Sequence, residues 1–156
     1  MSKAKQIMIM LLVAFVAIQF IQPARNKNGQ VMLTDISKTQ TIPPMIDTLL
    51  KTVCYDCHSN TTKYPWYANL QPVGWILNWH IQKGKMELNF SDFGAYSLRR
   101  QQSKLKSIAS QVNNNAMPLT SYTWLHKNTK LSKESKALIS DWAMKSIETI
   151  AAKKKK

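Results

Sequence analysis

The stretch Cys54-Tyr55-Asp56-Cys57-His58 places two thiols and an imidazole within five residues. Two cysteines at this spacing can each add across one vinyl group of a haem, and a histidine directly after the second is then held beneath the iron, within reach of coordination. Other chemistries use parts of the same set. A dithiol redox pair shares the Cys-x-x-Cys spacing, but it usually opens a helix in a βαβ setting, and no strand-rich pattern surrounds Cys54. A zinc-stabilised structural domain would join Cys54 and Cys57 to two of His58, His80 and His126, although a finger wants its histidines three to five residues apart. A disulfide across so short a loop removes little chain entropy. Haem attachment uses all three residues at this spacing, so Cys54 and Cys57 are expected to carry a covalent haem c, with His58 as its axial ligand.

The far side of such an iron needs a second ligand. Asn113-Asn114-Asn115-Ala116-Met117-Pro118-Leu119 interrupts helical periodicity. The residue before a proline is steered away from helical backbone, so the Met117 thioether is expected to stand clear of a helix and to serve as the sixth ligand. His80 is the alternative, because it shares a predicted helix face with Val73, Ile76, Leu77 and Gly84. Met86 and Met144 fall in or near helical stretches, where filling the core is the ordinary role of methionine. Tyr64 and Trp66, just after the motif, are expected to pack against the porphyrin. Iron held by His58 and Met117 has no open position, which suits an electron carrier and no enzymatic role. If Met117 stays off the iron, the same chain becomes a haem sensor or a peroxidase-like protein.

The elements that must position these residues read as helices. Proline is welcome in a first helical turn, and Pro43-Pro44 is followed by Ile46, Leu49, Leu50 and Val53 on one face, which runs directly into Cys54. A second helix starts near Pro72, with Gly84 as its expected end. A third carries Leu98, Gln102, Leu105, Ile108, Ala109 and Val112 as its apolar stripe, with Arg99, Arg100, Lys104 and Lys106 on a charged face open to solvent or to an acidic redox partner. Ser132 caps a last helix through Leu138, Ile139, Trp142 and Ile147, and His126, in the loop ahead of it, is expected to be exposed or bonded to local backbone. The fold class is all-α: a small cytochrome c-like helical domain around a covalently attached haem, preceded by an N-terminal membrane helix.

At 156 residues the chain has room for one domain with appendages. Residues 1–25 read as a signal-anchor, since Lys3 and Lys5 precede an apolar run from Ile7 to Ile21 that lacks the small-residue pattern of a cleavage site. Residues 26–41 are polar and without a stripe, a tether. Residues 42–150 form the haem-binding helical domain, and 151–156 are a basic tail. The formal net charge of +14 resembles a nucleic-acid signal. Seven of the positive charges lie in the two termini, however, and residues 26–152 hold 15 basic against 8 acidic side chains with no aromatic and basic interleaving, which excludes nucleic acid as the expected partner. Haem is attached to Cys-x-x-Cys-His on the outer side of the bacterial inner membrane. The expected location is therefore that membrane, crossed once, with the domain facing the periplasm and a redox protein as partner.

From about Ile18 to Ala143 the chain resembles the small bacterial proteins of the haem-binding domain family. The resemblance rests on Cys54-Tyr55-Asp56-Cys57-His58-Ser59-Asn60, Tyr64-Pro65-Trp66-Tyr67, Leu88-Asn89-Phe90-Ser91, Met117-Pro118-Leu119, Tyr122 and Leu125-His126, with Gln19-Phe20-Ile21 matching the end of the family's anchor. Lys85 and Phe93 stand where the pattern has Arg and Trp, and His126-Lys127 where it has His-Pro. The resemblance implies haem and export more strongly than any one reaction.

Overall fold

A computed structural model describes residues 2–154. Its helices are α1 (Lys3–Ile18), α2 (Ile36–Thr39), α3 (Pro44–Val53), α4 (Tyr55–His58), α5 (Val73–Glu87), α6 (Leu98–Asn113), α7 (Thr120–Leu125) and α8 (Lys133–Lys154). Short 3₁₀ turns occupy Trp66–Asn69, Phe90–Ala95 and Lys127–Thr129. The chain is all-α as expected: among the described residues the only β pairing is an isolated antiparallel bridge between Lys27 and Thr61.

Periodic stripes become the core. α6 and α8 form the principal helix pair, burying Leu105 and Ile108 of the former against Ile139, Trp142 and Ile150 of the latter. Each fully enclosed aliphatic side chain contributes about 1.5–3 kcal/mol relative to exposure. Ser97 and Ser132 cap these helices, accepting from the N–H groups of Arg100 and Ser135. α3 starts at Pro44 and turns Ile46, Leu50 and Val53 inward, and the chain just ahead of it is tied to α8 where Trp142 Nε1 donates to the Thr41 carbonyl at 3.2 Å. Phe90 and Phe93 are fully enclosed beside them, and Phe90 stacks on Tyr55 with ring centroids 5.0 Å apart.

Four expectations are corrected. Residues 26–41 are not a bare tether. Ile36 is completely buried in the core, Asp35 accepts from the Tyr55 hydroxyl at 3.1 Å, and the backbone of Asn26 and Asn28 pairs with Thr62 and Asn60. A polar sequence hides this because α2 is a single turn and offers no period to read.

The expected membrane-spanning helix is not met by α1. It has 16 residues, about 24 Å of rise against a hydrocarbon core of about 30 Å, and among the described residues no helix is long and apolar enough to cross a membrane. Extension through Gln22 and Pro23 is ruled out, because the chain after α1 is fastened to the domain. Gln19 Oε1 accepts from Gln71 N at 2.9 Å, and Trp75 Nε1 donates to the Ile21 carbonyl at 2.8 Å.

α5 neither ends at Gly84 nor buries the expected stripe: it runs on to Glu87 and encloses Gly74 and Ile81 instead, leaving Ile76 54% exposed. The glycines decide which face packs. A Cβ on Gly74 would stand 2.5 Å from the Ala68 carbonyl oxygen, and one on Gly84 2.6 Å from that of Cys57. In the basic tail, Lys153 and Lys154 belong to α8, while Lys155 and Lys156 lie outside the described residues.

Candidate functional site

α3 delivers the motif. Its last hydrogen bond runs from the Cys54 N–H to the Leu50 carbonyl at 2.9 Å, and the next turn, α4, is closed by His58 N–H on the Cys54 carbonyl at 3.0 Å. Residues four apart on a helical turn share a face, and Cys54 and His58 both line one cleft, of about 280 Å³. That is near the small end of the roughly 300–1,000 Å³ of small-molecule sites. Its walls are largely apolar: Val53 from α3, Leu88 and Phe90 from the turn after α5, Ile108 and Val112 from α6, and Leu131. α5 can lie directly against the back of the motif only because Gly84 has no side chain to strike Cys57.

His58 is held in one orientation. Its Nδ1 lies 3.0 Å from the Leu88 carbonyl oxygen. A carbonyl can only accept, so Nδ1 carries the proton, and Nε2 is left with a free lone pair. Burial pushes the imidazole pKa down, outweighing the opposite pull of the Leu88 and Gly84 carbonyls, which keeps the ring neutral and able to ligate. The edge of Phe90 closes on it, centroids 6.2 Å apart.

Met117 lines the same cleft, 59 positions further along the chain. Two local devices bring it there. α6 ends with Asn115 in left-handed backbone (φ 58°), a conformation asparagine tolerates better than most residues. Asn115 N–H then bonds the Val112 carbonyl at 3.2 Å and Ala116 N–H that of Gln111 at 2.9 Å, which is a Schellman motif. This reverses the chain just before Met117. On the other side of the loop, Tyr122 of α7 donates to Asp56 Oδ2 at 2.8 Å, within the motif itself.

Asp56 has no role that the spacing of the motif defines. Besides Tyr122 it receives Lys63 N–H at 2.9 Å on Oδ1, and its carbonyl takes the Thr62 hydroxyl at 2.6 Å. Next to this cluster His126 stacks on Tyr122 with centroids 4.3 Å apart, and its Nδ1 meets the Tyr122 carbonyl, the local backbone bond expected of it. Its Nε2 lies 3.4 Å from the Tyr67 hydroxyl. The sequence signal for these partners is the family pattern, whose shared segments include Tyr67, Tyr122 and His126.

Other predicted site residues lie elsewhere. His80 is absent from the cleft lining and sets its ring edge against Trp79, 4.9 Å away. Trp66 is 80% exposed, and Tyr64 is occupied with the Arg25 guanidinium over its ring and the Asn26 N–H on its hydroxyl; neither lines the cleft. Cys57 is half-buried beneath α5 and also lies outside the lining.

The alternatives for the cysteines fare poorly. Burial pushes Cys54 up to about 12 and Cys57 to about 11, opposite to the lowered values that activate a redox pair. Both thiols are free. Zinc is corrected as well: among the described residues no three or more His, Cys, Asp or Glu side chains stand together as a metal group, because His80 and His126 are committed elsewhere.

A haem fits the residues that are present. The cleft offers apolar walls for a flat macrocycle, a neutral imidazole with Nε2 unused, a thioether, and the Cys54 thiol at the same site. A family model described as a haem-binding domain matches residues 13–145. No curated protein and no solved structure matches the chain.

Proposed function

The chain belongs to the haem-binding domain family, and on that premise we propose that it is a c-type haem protein working as an electron carrier rather than an enzyme. Cys54 and Cys57 would hold the cofactor through thioethers, and His58 through Nε2 and Met117 through its thioether would hold its iron. Haem, when bound, supplies an iron that exchanges one electron reversibly, and a Met/His pair raises its potential. The observation that carries the reading is the His58 imidazole, oriented by the Leu88 carbonyl at 3.0 Å in the cleft that Met117 also lines.

The chain's residues divide the work. Leu88 fixes the tautomer of His58, Phe90 and Val53 give its cleft apolar walls, and Tyr122 on Asp56 ties the Met117 loop to the motif. With His58 and Met117 both on the iron, no position would be left for a substrate. Absorption spectroscopy of the purified protein tests this: sharp low-spin bands when reduced, a weak far-red band when oxidised, and no response to carbon monoxide. A high-spin form that takes up carbon monoxide would replace the carrier with the sensor or peroxidase-like alternative.

The proposed setting is the periplasmic face of a bacterial inner membrane, where such haems are attached, with a redox protein of acidic surface as partner. Arg99, Arg100 and Lys106 are exposed on α6 and suit that partner. α1, whose residues are mostly exposed and none buried, is the segment that engages lipid. Apolar burial is insensitive to screening, so high salt should leave the protein in the membrane fraction and detergent should release it. Release by salt alone would remove the lipid contact.

A further inference from the structure

α6 presents a divided face to the cleft. Lys104, Ser107, Ile108, Gln111 and Val112 all line it, at the i, i+3, i+4, i+7 and i+8 positions of one helical face. Placed around the helix axis, Ile108 and Val112 make an apolar edge, and Lys104, Ser107 and Gln111 a polar edge beside it. Lys104 is the cation of that edge. Its side chain is only 21% exposed, whereas its neighbours Arg99, Arg100 and Lys106 are exposed residues. The carboxylate nearest to it is that of Glu87, at 3.8 Å and itself 81% exposed. A pair that long and that open contributes little, and a lysine so largely covered beside an apolar cleft is suited to a better-placed counter-charge at its head.

We propose that the Lys104, Ser107 and Gln111 edge of α6 is a carboxylate site, which receives the propionates of the haem while Ile108 and Val112 cover its apolar body. The proposal rests on the haem reading and goes beyond it by fixing which edge of the cofactor meets α6. A flat ligand with an apolar body and an anionic rim matches the division of this face, and Ser107 and Gln111 supply neutral donors beside the cation. The sequence pattern assigns Lys104 to the charged face of its helix, and in the fold that residue also lines the cleft.

The test uses the full chain produced without haem attachment, titrated with iron protoporphyrin and with its dimethyl ester, which lacks the carboxylates. The free acid is expected to bind about tenfold more tightly than the ester, the size of one charge-assisted hydrogen bond. Lys104→Met should remove that preference, Lys104→Arg should keep it, and Glu87→Gln should leave it intact or enlarge it, with helical content by circular dichroism unchanged throughout. If both porphyrins bind equally to the unaltered chain, haem binding stands and the carboxylate site is overturned. A preference that survives Lys104→Met overturns the role of Lys104. If Glu87→Gln removes the preference as Lys104→Met does, Lys104 acts only through its pair with Glu87, and the proposal fails. If neither porphyrin binds, the haem reading itself fails.

Discussion

The Cys54→Ala/Cys57→Ala double variant is expected to lose essentially all haem that survives denaturation, while each single variant keeps one attachment point and part of the stain. Thioether-bound haem stays with the polypeptide on a denaturing gel, whereas haem held only by ligation and packing is washed out. Loss of stain is then a statement about covalent bonds and not about affinity. Unfolding is a poor alternative explanation. Both cysteines are only half-buried, and shortening a half-buried thiol to a methyl costs about 1 kcal/mol, which a core containing Leu105, Ile139 and Phe90 tolerates. The double variant should still bind added haem reversibly, because His58, Met117 and the apolar walls are untouched. A stain that persists without both cysteines would end the covalent reading. An unaltered protein that never stains would end it sooner.

The second large effect concerns the axial position that distinguishes a carrier from a catalyst. Met117→Ala should open the iron to carbon monoxide, abolish the far-red band of the oxidised protein and lower the potential on the order of 100 mV, within the roughly 0.8 V that axial ligands span. Covalent haem should remain at its original level. His80→Ala should change none of these, since His80 leans on Trp79 and does not line the cleft. The result that would reverse the assignment is equally plain. If His80→Ala alone converts the iron to high spin and Met117→Ala is silent, ligation is bis-histidine, and α5 must rotate to deliver it.

Much of this protein is written in short-range pattern. The motif is legible because its chemistry depends on neighbours: two thiols three apart and an adjacent imidazole are positioned by one turn of chain, whatever the rest of the fold does. α3, α6 and α8 are legible for a related reason. A helix repeats every 3.6 residues, so a buried face leaves a stripe in the sequence, and Pro44, Ser97 and Ser132 mark the starts because free N–H groups at helix ends need such residues.

What only the tertiary structure decided is where distant residues meet. Met117 reaches the His58 cleft through a left-handed Asn115 and a tyrosine bonded to an aspartate 66 positions away, and neither contact has a period. Sequence offers both Met117 and His80 for the far side of the iron, and the packing of α5 separates them: Gly84 presses against Cys57, which sets the rotation of the helix and leaves His80 out of the cleft. The Leu88 carbonyl that orients His58 is invisible in sequence, since every residue has one. Segment 26–41 joins the core through a single turn and one enclosed isoleucine, too little to leave a stripe. Lys104 shows the same limit from the other side. Composition counts it among the surface charges, and only the meeting of α6 with the cleft makes it part of a site.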